Sequence, residues 1–373
     1  MRRDVVITGT GVISPLGDTP AAVHAALAGD GGPPPAEFGV TGFAAEAYLG
    51  ERNLRPLDRP ARLLTCAALL ALRDAGWTAE RLAAEDVGLV VGTMFSTVRT
   101  IAEFDRRAVR DGPSYASPMD FANTVINAPA GQAAIWHGLR GVNATVAAGA
   151  ASGLLAVAHA ADLVRSGRAT AVLAGGVEEL SFESACGFRR AGLLCDGDRP
   201  RPFDARRSGF ALGEGAAVLV LEDAEAARRR GAQVLARVAG HGARFDPGQG
   251  CDDESAVAAA VGAMRLALRD AGLLPAAVDC VSAAARGDGP GDRREARALA
   301  DVFAGRGDDL AVTAVKGRAG EALGATGAVQ VVALLEAMRT GTVPGVAGLE
   351  RAEEPFLRGK VGSQARALEI GNG

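Results

Sequence analysis

Residues 201–223 read "RPFDARRSGFALGEGAAVLVLED". The stretch closes on "GAAVLVLED" (215–223), a short apolar run between glycine and acid, which reads as a buried β-strand. Just before it, "ALGEGAAV" (211–218) carries glycines in a spacing that suggests a phosphate cradle. A cradle needs a helix opening directly after its glycines, and here a strand follows. Nucleotide binding is therefore set aside.

The same punctuation runs outward in both directions. "DVVITGTG" (4–11), "DVGLVVGT" (86–93), "TAVLAGG" (170–176), "VDCVSAAA" (278–285) and "LAVTAVK" (310–316) read as strands. Between them lie amphipathic stretches with apolar residues three and four apart: "RLLTCAALLALRDAG" (62–76), "SGLLAVAHAADLVRSG" (152–167), "DESAVAAAVGAMRLALRDAG" (253–272), "RREARALADVFA" (293–304) and "GAVQVVALLEAMRTG" (327–341). "ALRDAG" occurs twice, at 71–76 and 267–272, each time closing a long helix before a strand. "ASGLLAVAHAADLVRSG" (151–167) and "ATGAVQVVALLEAMRTG" (325–341) share a pattern in the same order. Two echoes in one order imply a duplicated βαβ unit, with halves at 1–240 and 241–373 forming one compact body. "GDGGPPPAEFG" (29–39) reads as a surface loop.

Composition narrows the class. With 48% hydrophobic and 23% charged residues in 373, the chain can bury a large core and is not globally disordered. A net charge of -4 gives no sign of nucleic-acid binding. No apolar run reaches the roughly 18 residues of a membrane span. The start, "MRRDVVITGTGVISPLG", is interrupted by Asp4, glycine and proline, and reads as strand and loop instead of a signal peptide. The five cysteines, Cys66, Cys186, Cys195, Cys251 and Cys280, form no CxxC pair, which argues against a metal or disulfide framework and for a reducing cytoplasm. Cys66 and Cys280 lie in apolar segments and read as core. The histidines are His24, His137, His159 and His241, so the last third of the chain supplies no imidazole.

"VAAGAASG" (146–153) is a small-residue turn entering a helix, the seat many α/β enzymes give a nucleophile. Its one hydroxyl, Ser152, reads as a turn and cap residue.

"VVITGTGVISPLG" (5–17), "SPMDFANTVINAPAGQAAIWHGLRGVNATV" (117–146), "RPFDARRSGFALGEGAAVLVLED" and "GEALGATGAVQ" (320–330) together resemble the β-ketoacyl-ACP synthases of the thiolase fold. The resemblance implies a five-layer α-β-α-β-α sandwich built from two duplicated halves, with no cofactor and no metal. In that family a cysteine thiolate takes the acyl chain. Two histidines polarise a malonyl thioester and support its decarboxylation, and a lysine precedes the second. On this sequence the cysteine position is Ala150. The first histidine becomes Ala284 in "SAAARGDG" (282–289), the second becomes Glu321 in "GEALGATG" (320–327), and Lys316 survives.

Such a chain resembles the chain length factors, the nucleophile-less partners of type II polyketide ketosynthases. Those often carry glutamine in place of the cysteine, so Ala150 departs from the pattern. The short chain and triple loss are closer to partners in highly reducing, polyene-type systems. The implied partners are an active ketosynthase, as heterodimer, and transiently an acyl carrier protein. By the same resemblance Thr97, Thr100 and Phe104 line the acyl tunnel on one helical face. Phe121, Asn127, Gln132, Asn143, Thr145 and Val146 lie at the dimer interface. The family ends in a Gly/Phe-rich loop and a final strand, whereas this sequence stops at "ALEIGNG". The basic runs "RRAVR" (106–110) and "RRRG" (228–231) read as solvated faces, with carrier-protein contact as the alternative. Glu321 reads as a polar substitute bonded to Lys316 or a backbone amide. The competing function is a stand-alone thiolase-fold enzyme with altered chemistry, acyl transfer or hydrolysis, using Glu321.

Overall fold

The stretch Gly215–Asp223 forms a strand with all nine residues buried. Burial on both faces explains why it reads as a continuous apolar run and not as an alternating one. It belongs to a six-stranded mixed sheet made of β1 (Val5–Ile13), β2 (Gly88–Gly92), β3 (Asn143–Val146), β4 (Ala171–Glu178), β5 (Gly215–Asp223) and β6 (Ala236–Arg237). The order is β3-β2-β4-β5-β1-β6. β2 runs parallel to β3 and β4, while β5 runs antiparallel to β4 and β1. β3 therefore sits at one edge with an open hydrogen-bonding side. The computed structural model describes residues 2–29, 38–196, 199–248, 252–306, 309–362, 364 and 366–367. Most of the loop expected at 29–39, together with Cys251 and all of "ALEIGNG" but Ala367, lies outside the described residues.

Helices cover both faces of this sheet. Arg59–Asp74 and Ala128–His137 share one core cluster with Ile13, Leu89, Leu173 and Val218. Ser152–Arg165 and Thr326–Thr340 pack on the other face with Val90, Val172 and Leu219. Beyond that middle pair lies a parallel two-stranded sheet, β7 (Cys280–Ser282) and β8 (Ala311–Thr313). The Gln330 amide donates to the carbonyls of Ser282 and Ala283, tying the middle helices to β7. Asp253–Ala271 and Gly289–Phe303 close the far side over Val281 and Val312. The layers thus run helix, sheet, helix, sheet, helix. Expected "VDCVSAAA" and "LAVTAVK" are strand over only three residues each, because pairing ends where both chains turn into the loops around Ala284 and Lys316.

The duplication extends further than the sequence showed. In β1, a Cβ on Gly11 would sit 2.0 Å from the Ala67 carbonyl, and one on Gly9 2.6 Å from the Ala71 carbonyl. At the junction of the halves, Gly242 would meet the Ala263 carbonyl at 2.2 Å and Gly240 the Ala267 carbonyl at 2.7 Å. Each glycine pair lets its segment seat against a helix that closes on "ALRDAG", and the two contacted carbonyls are four residues apart in both halves. Any Cβ at Gly11 or Gly242 would collide with backbone that has nowhere to go.

Candidate functional site

β3 leads into residues 147–151 and then the helix Ser152–Arg165. Gly149 has φ 63°, the left-handed conformation the turn needs. The fully buried Ser152 hydroxyl donates to the Gly149 carbonyl at 2.6 Å and accepts from the Ala148 amide at 2.8 Å. Ser152 is thus consumed in holding the turn. A Cβ on Gly92 would lie 2.2 Å from the Ser152 carbonyl carbon, so β2 seats directly against the helix start. At the tip stands Ala150, an exposed methyl at the position where the resemblance puts the nucleophile.

The opposite wall comes from the second half. After β7, the Ala284 amide donates to Glu295 at 2.7 Å. Burial pushes the Glu295 carboxyl up to about 7, against the pull of that amide. Glu321 is 1% exposed and both its oxygens are engaged. Oε2 accepts from Lys316 Nζ at 2.8 Å, and Oε1 accepts from the Leu323 amide at 2.9 Å and the Thr326 hydroxyl at 2.8 Å. Lys316 is itself buried. The bonds expected of Glu321, to Lys316 or a backbone amide, are both present. Leu323 has φ 45°, a strained conformation fixed by this network.

A second buried glutamate joins the walls. Glu178, at the end of β4, accepts from the amides of Met94, Phe95, Ser96 and Gly324 and from the Thr93 hydroxyl. Burial pushes its carboxyl above the ordinary range while these amides oppose the shift. It holds the loop after β2 against the loop after Glu321. The sequence reading passed over it, although an acid in "GGVEE" closing an apolar strand was a signal.

None of the four histidines reaches this site. His24 bonds the Thr342 carbonyl, His137 the Thr65 carbonyl and His241 the Asp162 carboxylate, while His159 is exposed. Cys66 is fully buried, and burial raises its thiol to about 12; Cys280 is half-buried and raised to about 12 for the same reason. Among the described residues no group of three or more His, Cys, Asp or Glu could hold a metal ion, and no helix is long and apolar enough to cross a membrane.

The helix Val98–Asp111 carries the expected tunnel residues. Thr97 stands at its N-cap position and is fully buried, and its hydroxyl has no hydrogen-bond partner among the described residues. Thr100 donates to Asp58 at 3.2 Å. Phe104 is half-buried with its ring centre 5.8 Å from that of Phe121. Asp58 is raised to about 6 by burial. Nearby Glu179 is raised to about 7 by burial, with the Arg99 charge pulling the other way, and its Oε1 has no hydrogen-bond partner among the described residues.

The residues expected at an interface are uncovered in the single chain. Phe121, Asn127 and Asn143 are exposed, and Gln132, Thr145 and Val146 are half-buried. Around them Tyr115, Met119, Val125, Ile126, Ile135 and Leu154 expose large apolar side chains. Arg106 and Arg107 are exposed and paired with Glu183 and Asp120, and Arg228 and Arg229 pair with Glu225. Arg230 departs from the solvated-face reading. It is buried, pairs with Glu222 and lies over the Trp77 ring, because the helix Ala224–Arg229 has ended and the chain turns inward.

Comparison with known proteins agrees along the whole chain. The N-terminal domain of the β-ketoacyl synthase family matches residues 39–227 and its C-terminal domain residues 235–350. The chain is 32% identical to the 3-oxoacyl-(acyl-carrier-protein) synthase 2 of Coxiella burnetii, over 99% of this chain and 94% of that protein. It is 33% identical to nodulation protein E of a Rhizobium species, over 92% of this chain and 88% of that protein. Among solved structures it matches the ishigamide ketosynthase/chain length factor with a TM-score of 0.89 at 27% identity, over 99% of this chain and 94% of that one. It matches a β-ketoacyl synthase from Burkholderia phymatum with a TM-score of 0.88 at 28% identity, over the same shares.

Proposed function

The chain belongs to the β-ketoacyl synthase family and has its thiolase-like fold, and from that premise we propose that it is a non-catalytic chain length factor. It pairs with an active ketosynthase and shapes the acyl tunnel during type II polyketide elongation, in a highly reducing, polyene-type system. An acyl carrier protein delivers to the pair. One observation carries the reading: the nucleophile turn is fully built, down to Gly149 and Ser152, yet it presents only the Ala150 methyl. Selection for the turn without its occupant fits a subunit whose fold is needed and whose chemistry is not.

Two further features support it. The open edge of β3 and the apolar side chains beside it form a surface suited to a permanent partner. Likeness to the ishigamide ketosynthase/chain length factor supplies a precedent for such a pair. The competing reading, a stand-alone enzyme with Glu321 as base, meets an obstacle. Both Glu321 oxygens are committed and the residue is sealed from solvent.

Co-expression with a cysteine-bearing ketosynthase tests the proposal. The expected product is a 1:1 complex stable to gel filtration, since permanent interfaces commonly bury more than about 2,000 Å². A monodisperse monomer at micromolar concentration, unchanged by the ketosynthase, would contradict it.

A further inference from the structure

Two residues beyond Ala284 stands Arg286, whose side chain turns back into the site. Its Nε donates to Asp288 at 2.5 Å, and its Nη1 lies 3.9 Å from Glu321 Oε2. The guanidinium carbon sits 4.2 Å from the centre of the Phe210 ring. Its own amide is pinned by Asp292 at 3.0 Å, and Asp292 also accepts from the amides of Phe203 and Gly287. The loop that carries Arg286 is therefore fixed. Phe210 is fully buried and packs edge-on to Phe188, which packs edge-on to Phe95. Arg286 caps this aromatic row.

A side chain that starts beside 284 and ends against 321 occupies the space between those two positions. That is where the family's two histidines would hold a thioester carbonyl. The charges there alternate along Lys316, Glu321, Arg286 and Asp288, two positive and two negative. The network is neutral and satisfies itself, so it has no charge left to attract an anionic ligand. Stacking on Phe210 adds a cation–π contact of the kind that strengthens with desolvation.

We propose that Arg286 is a plug: it closes the former thioester site, as a block separate from the loss of the nucleophile. The inference rests on the non-catalytic reading above and deepens it. Loss of Ala150's ancestral thiol would leave a pocket that still bound thioester, competing with the partner for substrate. Arg286 removes that pocket, so thioester binding belongs to the partner alone.

The test measures binding, not catalysis, in the full-length chain. The probe is S-acetyl-N-acetylcysteamine, a small neutral thioester, followed by saturation-transfer NMR. Wild type and Arg286→Lys, which keeps a cation near Glu321, are expected to show no binding. Arg286→Ala is expected to bind at least about tenfold more tightly. Thermal melting of each variant checks that it is folded. Binding by wild type and Arg286→Ala alike would overturn the proposal, because the site would be open. Binding by neither would overturn it too, because something other than Arg286 would close the site. Neither result bears on catalytic silence, which fails separately, on acylation of the wild-type chain.

Discussion

Replacing Lys316 by methionine removes one charge from a buried pair while nearly preserving side-chain length. Lys316 and Glu321 have 6% and 1% side-chain exposure and meet at 2.8 Å. Without the ammonium, Glu321 keeps the Leu323 amide and Thr326 hydroxyl on Oε1, but Oε2 faces only Arg286 at 3.9 Å. Breaking a buried pair in this way costs about 3–5 kcal/mol, because an uncompensated charge stays inside. Unfolding entropy of about 2.1 cal/mol/K per residue makes 1 kcal/mol worth about 1.3 °C in a chain of this length. The expected fall in melting temperature for Lys316→Met is thus about 4–6 °C. Glu321→Gln leaves both Oε1 donors in place but strands the buried Lys316 ammonium, and should also cost about 3–5 kcal/mol. The double variant removes both charges at once. It should be more stable than the sum of the singles by about 2 kcal/mol, the coupling of groups in direct contact. Calorimetry of the four proteins reads all terms. A Lys316→Met protein melting within about 1 °C of wild type would refute the reasoning, since the pair would then be solvated or replaced by Arg286.

Three further outcomes are expected. Glu179 has a folded carboxyl at about 7 against an ordinary value of 4.5. Between those values the folded state holds a proton the unfolded state has lost, so stability falls as pH rises from about 5 to 8, by up to about 3 kcal/mol. Asp58 acts in the same sense. Glu179→Gln should flatten this slope in melting curves at pH 5 and 8; an unchanged slope would place the titration elsewhere. Ile135→Glu changes a side chain that is 79% exposed, so the isolated chain should melt within about 0.5 kcal/mol of wild type while losing the ketosynthase in gel filtration. Phe104→Ala in the assembled pair should lengthen the products, and an identical product distribution would leave Phe104 as packing against Phe121.

Legibility followed burial and repetition. β5 was readable because all nine residues are buried, and the helix Asp253–Ala271 because its periodicity runs unbroken between an Asp cap and Gly272. The second-half strands were over-read because their apolar residues continue past the last ladder bond into the loops of the site. The Gly240 and Gly242 contacts were hidden, since close helix–strand approach leaves no hydrophobic signature. At the site, the residues at positions 150, 284 and 321 were readable from the sequence. The groups packed around those positions were less so. Glu321 could be paired with Lys316 from a five-residue spacing, but Arg286 and Glu178 act across long sequence separations that only the fold brings together.

Intact-protein mass spectrometry on the reconstituted pair tests the central claim most directly. The complex is incubated with acyl- and then malonyl-loaded carrier protein, and both subunits are weighed. An acyl adduct is expected on the partner's cysteine alone, with condensation by the pair and none by this chain in isolation. An acyl group on any residue of this chain, or condensation in the partner's absence, would contradict the account.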